Sequence, residues 1–171
     1  MKSLSQQLGN YACYHQDQRN IITHLVGIPM IVVAVLALLS RPVFSVATLP
    51  LTPALFVTIA VLIYYWCLHK GFGMLMTVLL VLVLMAGERI AMQSTATWLT
   101  ISLGLFLVGW IFQFIGHYYE GRKPAFVDDL IGLAIGPLFV VAEVLFALGL
   151  CRNLQQQMQD YVRSHRPARR Y

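Results

Sequence analysis

Charge is what this chain has least of. Among its 171 residues, 12 are Lys or Arg and 7 are Asp or Glu, together 11%, whereas a water-soluble domain carries roughly a quarter. With 58% hydrophobic residues and a mean hydropathy of +0.71, the composition excludes an ordinary soluble globule and implies an integral membrane protein. Cysteine is scarce as well. Cys13, Cys67 and Cys151 are odd in number and lack C-x-x-C spacing, which excludes a disulfide framework and a zinc ribbon. No Ser/Gly-rich linker or internal repeat divides the chain, so residues 1–171 are expected to form a single membrane-embedded domain. The N-terminus does not read as a cleaved signal peptide, because roughly twenty mostly polar residues precede the first apolar run, which is then expected to be a retained span. Much of the net charge of +5 sits in the tail 152–171, on Arg152, Arg163, Arg166, Arg169 and Arg170. Those arginines are expected to meet solvent or lipid headgroups, with no nucleic-acid partner.

What the sequence does have is long apolar runs. Five approach the ~20 residues needed to cross the hydrocarbon: 21–40, 53–68, 74–92, 98–116 and 130–150. Breakers separate them, with Arg41-Pro42, Pro50 and Pro53 after the first, His69 to Gly73 after the second and the polar stretch Glu120–Asp129 after the fourth. Strict two-residue alternation is missing, and backbone in lipid must satisfy its own hydrogen bonds, so the spans are expected to be helices. The fold class is therefore all-α, a polytopic bundle of about five hydrophobic helices. Glu88-Arg89 interrupt the third run and are expected near an interface. If all five runs cross, His15, His24, His69 and His117 emerge at one membrane face, with Asp128 and Asp129. Lys and Arg counts on the two sides leave the orientation open. The membrane would be the inner membrane of a bacterium or the endoplasmic reticulum of a eukaryote.

Ionisable residues at such a boundary point to function. His117 and Glu120 are three residues apart and share a helix face, so one segment can offer nitrogen and oxygen to one metal ion; Gln113 extends that face by a turn. His15 and His24 are nine residues apart, which places them on opposite sides of a straight helix, and they meet only if the chain bends between them. Asn20 is four residues before His24 and can orient it. Pro29 is expected to kink the helix near Gly27. His69 also reads as an interfacial anchor, and Asp128 and Asp129 as an N-terminal cap of the fifth helix. Asp129, Gly132, Gly136 and Glu143 fall within about 60° on one helical stripe, which turns Glu143 toward the bundle interior. The Gly132-x-x-x-Gly136 pattern can pack within one bundle or between two copies, so a homo-oligomer is compatible with it.

Two strings together carry a resemblance. They are Tyr11-x-x-x-His15-x-x-x-x-Asn20-x-x-x-His24-x-x-Gly27-x-Pro29, and Gln113-x-x-Gly116-His117-Tyr-Tyr-Glu120-Gly121-Arg-Lys-Pro124-Ala125 followed by Gly136-Pro137-Leu-Phe-Val-Val-Ala-Glu143. In combination they closely resemble the Mpo1-like family over about residues 5 to 150. The resemblance implies an Fe(II)-dependent dioxygenase that carries out α-oxidation of long-chain 2-hydroxy fatty acids, using O₂ and releasing one carbon. By motif position, His15, His24, His117 and Glu120 become catalytic residues and iron ligands or their close neighbours, with Asp128 a further candidate carboxylate. Asn20, Gln113, Arg122 and Lys123 become neighbours of the ligands or substrate contacts; His69 joins that list as a fourth histidine of the same face, although it lies outside the matched motifs. Imidazole with carboxylate and an open position suits non-haem Fe(II), and Arg122 or Lys123 can offset the charge of a 2-hydroxy carboxylate. The partners implied are the fatty acid, O₂ and membrane lipid. Two other readings stand beside it: a metal-independent transporter or proton relay using Glu143 and the histidines, and a membrane zinc hydrolase, since His and Glu also serve zinc.

Overall fold

A computed structural model describes residues 2–46, 49–122 and 131–165. In chain order the elements are α1 (Leu4–Ala12), α2 (Gln18–Leu39), the strands β1 (Phe44–Val46) and β2 (Leu49–Leu51), then α3 (Pro53–Leu68), α4 (Lys70–Ala91), α5 (Thr95–Glu120), α6 (Ile131–Ala147) and α7 (Arg152–His165). The fold is all-α apart from the short antiparallel β1–β2 pairing, Phe44 opposite Leu51, which lies in the connection between α2 and α3. Among the described residues α2, α4 and α5 are long and apolar enough to cross a membrane. Helix α3 is apolar but shorter, and α6 with α7 form a pair bent by 118°. The expected count of about five spans thus becomes three or four. Helix α4 runs unbroken through Glu88-Arg89. Pro29 lies inside the continuous α2, and Asp129 lies outside the described residues.

Contacts gather the chain into two compact units, Met1–Leu25 with Phe112–Tyr171, and Val26–Ile111. In the first, α1 starts with a capping box: the Ser3 hydroxyl accepts from the Gln6 N–H and the Gln6 side chain accepts from the Ser3 N–H. Leu4, Leu8 and Tyr11 recur at helical spacing and are buried on one face. Helix α1 packs against both α6 and α7, where Leu138, Phe139, Met158 and Val162 are buried. Gly149, at φ 75°, ends α6. The Leu150 N–H reaches back to Leu145 O at 2.8 Å and the Gly149 N–H to Phe146 O at 2.9 Å, satisfying carbonyls that the helix end would leave open. Glu143, expected to face the interior, is half-buried on α6.

In the second unit α3 and α4 pack along each other and are joined through His69. The Trp66 indole donates to Thr77 Oγ1 at 3.0 Å. Arg41 binds the α4–α5 turn, donating to Ala91 O and Gln93 O at 2.9 Å, and its guanidinium lies 4.8 Å from the Trp98 ring centre. Gly87 brings α4 against the backbone of α2: a Cβ there would lie 3.0 Å from Ala37 N and 3.1 Å from Leu36 C. Gly104 on α5 has no neighbour within 4 Å of its would-be Cβ. Gly87→Leu is therefore expected to destabilise the protein by about 2 kcal/mol through overpacking, while Gly104→Ala stabilises it by roughly 0.5 kcal/mol through helix propensity. Thermal unfolding of both variants in detergent checks this, and equal shifts would refute the close α2–α4 contact.

Candidate metal centre

Three histidines meet in the first unit. His15 lies in the turn between α1 and α2, His24 is on the second turn of α2, and His117 is on the last turn of α5. The bend required by the nine-residue spacing is there: α1 ends at Ala12 and α2 starts at Gln18. His15, His24 and His117 are 2%, 1% and 7% exposed, and one nitrogen from each lies within 4.8 Å of the others. Their ring centres are 4.5 Å apart for His15 and His24, and 5.0 Å for each of these with His117.

Hydrogen bonding fixes what two of these rings present. His15 Nδ1 is 2.7 Å from Tyr11 O, and His24 Nδ1 is 2.9 Å from Asn20 O. A carbonyl oxygen only accepts, so each Nδ1 carries the proton and each Nε2 is left with its lone pair. Those two Nε2 atoms are 3.0 Å apart. Lone pairs facing at that distance repel unless a cation lies between them. Burial, and then the neighbouring His24, hold His15 well below its ordinary pKa, so a shared proton is disfavoured. A metal ion meets the requirement: two nitrogens about 2.1 Å from one ion at a right angle are about 3.0 Å apart. The donor set fits a metal on this observation alone.

The turn carrying His15 is held from α5. Glu120 Oε2 accepts from the Gln16 N–H at 2.9 Å, the Asp17 N–H at 2.8 Å and Asn20 Nδ2 at 3.1 Å. Gly121, at φ 66°, ends α5, and the guanidinium of Arg122 just beyond it donates to Cys13 O at 3.0 Å. Glu120 and Arg122 thus grip the donors and an acceptor of one turn. Gly116 lets the helices approach, because a Cβ there would collide with Asn20 Oδ1 and Thr23 Oγ1. Tyr11 stacks flat on His15, 4.1 Å between ring centres with 5° between planes, and Phe139 of α6 covers both.

The residues predicted from sequence divide accordingly. His15, His24 and His117 come together with Asn20 beside them. Glu120 is within the same unit, yet the group of ligand atoms close enough to share an ion holds the three histidines and not Glu120 among the described residues. Gln113 is buried on the His117 face of α5, and its Nε2 has no hydrogen-bond partner among the described residues. His69 belongs to the second unit and caps α4, its Nδ1 accepting from the Phe72 N–H at 3.3 Å. Asp128 and Lys123 lie outside the described residues. Tyr11, which opens the first motif, and Phe139 are site neighbours to which the sequence analysis gave no role. Tyr11 had a usable signal, one helical turn before His15. Phe139, in an apolar run, had none.

A family model described as "2-hydroxy-palmitic acid dioxygenase Mpo1-like" matches residues 1–148. The chain is 36% identical over 160 residues, 91% of this chain and 87% of the other, to the Saccharomyces cerevisiae protein named 2-hydroxy-palmitic acid dioxygenase MPO1. No solved structure matches.

The grip of Glu120 generates a measurable expectation. Hydrogen bonds to a charged group contribute about 1.5–3 kcal/mol, so Glu120→Ala should speed hydrogen exchange at the Gln16 and Asp17 amides by roughly tenfold or more. Glu120→Gln, which keeps an acceptor, should fall between. Unchanged exchange in the alanine variant would remove Glu120 from this role.

Proposed function

Since the chain belongs to the Mpo1-like family, we propose that it is a membrane dioxygenase acting on long-chain 2-hydroxy fatty acids, with Fe(II) held by His15, His24 and His117. The observation that carries the metal reading is the pair of lone-pair-bearing Nε2 atoms 3.0 Å apart. Iron would supply a centre at which O₂ and the hydroxy acid are brought together and electrons pass between them. The overall change is the breaking of the C1–C2 bond: one O₂ is consumed, C1 leaves as CO₂, C2 becomes the carboxyl of an acid one carbon shorter, and water takes the remaining oxygen.

The chain's own groups have separable tasks. Three neutral imidazoles offset none of the charge of a divalent ion in a buried site, so an anionic head is favoured there over a neutral alcohol or aldehyde. With its Oε2 engaged by the turn, Glu120 is a positioning residue for His15 and His24 in this reading, and Arg122 serves the same turn through Cys13 O. Gln113, whose buried amide N–H lacks a partner among the described residues, donates to an oxygen of the acid head one turn from His117. Tyr11 and Phe139 keep water from the histidine group on the side they cover, which favours directed use of O₂. Asn20 holds His24 in its tautomer through its carbonyl and Glu120 through its amide.

Anaerobically purified protein should contain about one iron per chain by elemental analysis, consume O₂ on addition of a long-chain 2-hydroxy fatty acid and release one CO₂ for each O₂. His24→Ala and His117→Ala should lose the iron and reduce turnover at least 100-fold, beyond the roughly 10–100-fold that changes to the ligands' hydrogen-bond partners produce, while circular dichroism remains helical. Zinc in the wild type would turn the reading toward hydrolysis. Full turnover in both variants would overturn the assignment of these ligands.

A further inference from the structure

Helix α7 lies beyond the family match, which ends at residue 148, yet it packs on the helix that leads into the histidine group. It is amphipathic, with Met158 and Val162 buried. Tyr161 makes its most specific contact. The Tyr161 hydroxyl donates to Asn10 Oδ1 at 2.7 Å. Its ring occupies the space that a side chain at position 9 would take: a Cβ on Gly9 would lie 2.5–2.9 Å from Tyr161 Cδ1, Cγ and Cβ. Gly9 is needed here for close approach, since its backbone is ordinary helix. Two residues after Gly9 comes Tyr11, which supplies both contacts that fix the His15 ring, the carbonyl on Nδ1 and the stacked phenol.

We infer that α7 is a strap that positions His15, with Tyr161 fixing the axial and rotational setting of α1. A helix is stiff over three residues, so displacement at Gly9 and Asn10 is carried to Tyr11. A small shift of the Tyr11 carbonyl then re-aims the His15 Nε2, and orienting groups of this kind change metal affinity by about 10–100-fold when removed. Tyr161 is a positioning residue: it touches α1, and α1 touches the ligand. The sequence from Asn153 to Gln157 is mostly polar and gives α7 no reason to be buried in lipid, which leaves docking on α1 as the use of its apolar stripe.

The inference rests on the metal reading for one of its two readouts and is independent of it for the other. Full-length wild type, Tyr161→Ala, Tyr161→Phe and Gly9→Ala are compared in detergent, with Co(II) as the metal probe. Metal affinity is measured by chelator competition, with the Co(II) absorption spectrum followed alongside. Hydrogen exchange is measured on the metal-free proteins. Tyr161→Ala should weaken Co(II) binding about tenfold, shift its visible bands and speed exchange in residues 13–17. Tyr161→Phe keeps the ring over Gly9 and should recover most of the affinity. Gly9→Ala expels the ring without deleting any polar group and should reproduce the alanine result even if Tyr161→Ala does not fold. Wild-type affinity, spectrum and exchange at 13–17 in Gly9→Ala or Tyr161→Ala, with faster exchange across α7, would overturn the strap. Failure of wild type to bind Co(II) would instead count against the metal reading, and the exchange at 13–17 would still decide the strap.

Discussion

The Nε2 atoms of His15 and His24 stand 3.0 Å apart, and neither can take a proton from its own ring because each Nδ1–H is committed to a carbonyl oxygen. Everything nearby serves that contact or follows from it. The carbonyls belong to Tyr11 and Asn20, one at the end of α1 and one in the first turn of α2, so both helices have to stop or start where they do. The turn between them is bound by Glu120 and Arg122, which fixes the end of α5, and with it the third imidazole. Without a cation the contact is repulsive. The surrounding hydrogen bonds therefore hold two lone pairs at a spacing that suits a shared cation.

Much of this was legible in the sequence. Low charge and five apolar runs gave the helical membrane class, because composition and run length depend only on what lipid will accept. The histidine spacing gave the bend before His24, since 3.6 residues per turn leaves no other way for positions 15 and 24 to meet. The individual spans were less well defined. Sixteen residues in α3 and the bend between α6 and α7 are matters of length and backbone conformation at Gly149 and Cys151, and an apolar run does not disclose either.

Glu120 shows where the reading from spacing reaches its limit. The i, i+3 relation to His117 states that the two side chains share a face, and both a metal ligand and a turn-binding carboxylate satisfy that statement. What separates them is the presence of the Gln16 and Asp17 N–H groups, 104 and 103 positions away. Free N–H groups just before a helix attract a carboxylate, as a cation does. Long-range partners of that kind leave no periodic trace. Asn20 is similar: its four-residue relation to His24 is readable, while its amide contact to Glu120 is not.

The order in which the pieces leave the ribosome follows from this layout. His15 and His24 are made almost a hundred residues before His117, and the donors of the turn at Gln16 and Asp17 have no carboxylate until Glu120 appears. Tyr161, whose hydroxyl donates to Asn10 of α1, follows it by 151 positions. Contacts of such separation form late and slowly. The first two imidazoles are therefore inserted without the third, and the group of three histidines forms only once these early and late parts of the chain have come together. Gathering of the histidines thus waits on long-range assembly, and a chain halted before α5 would present His15 and His24 without the carboxylate that binds their turn.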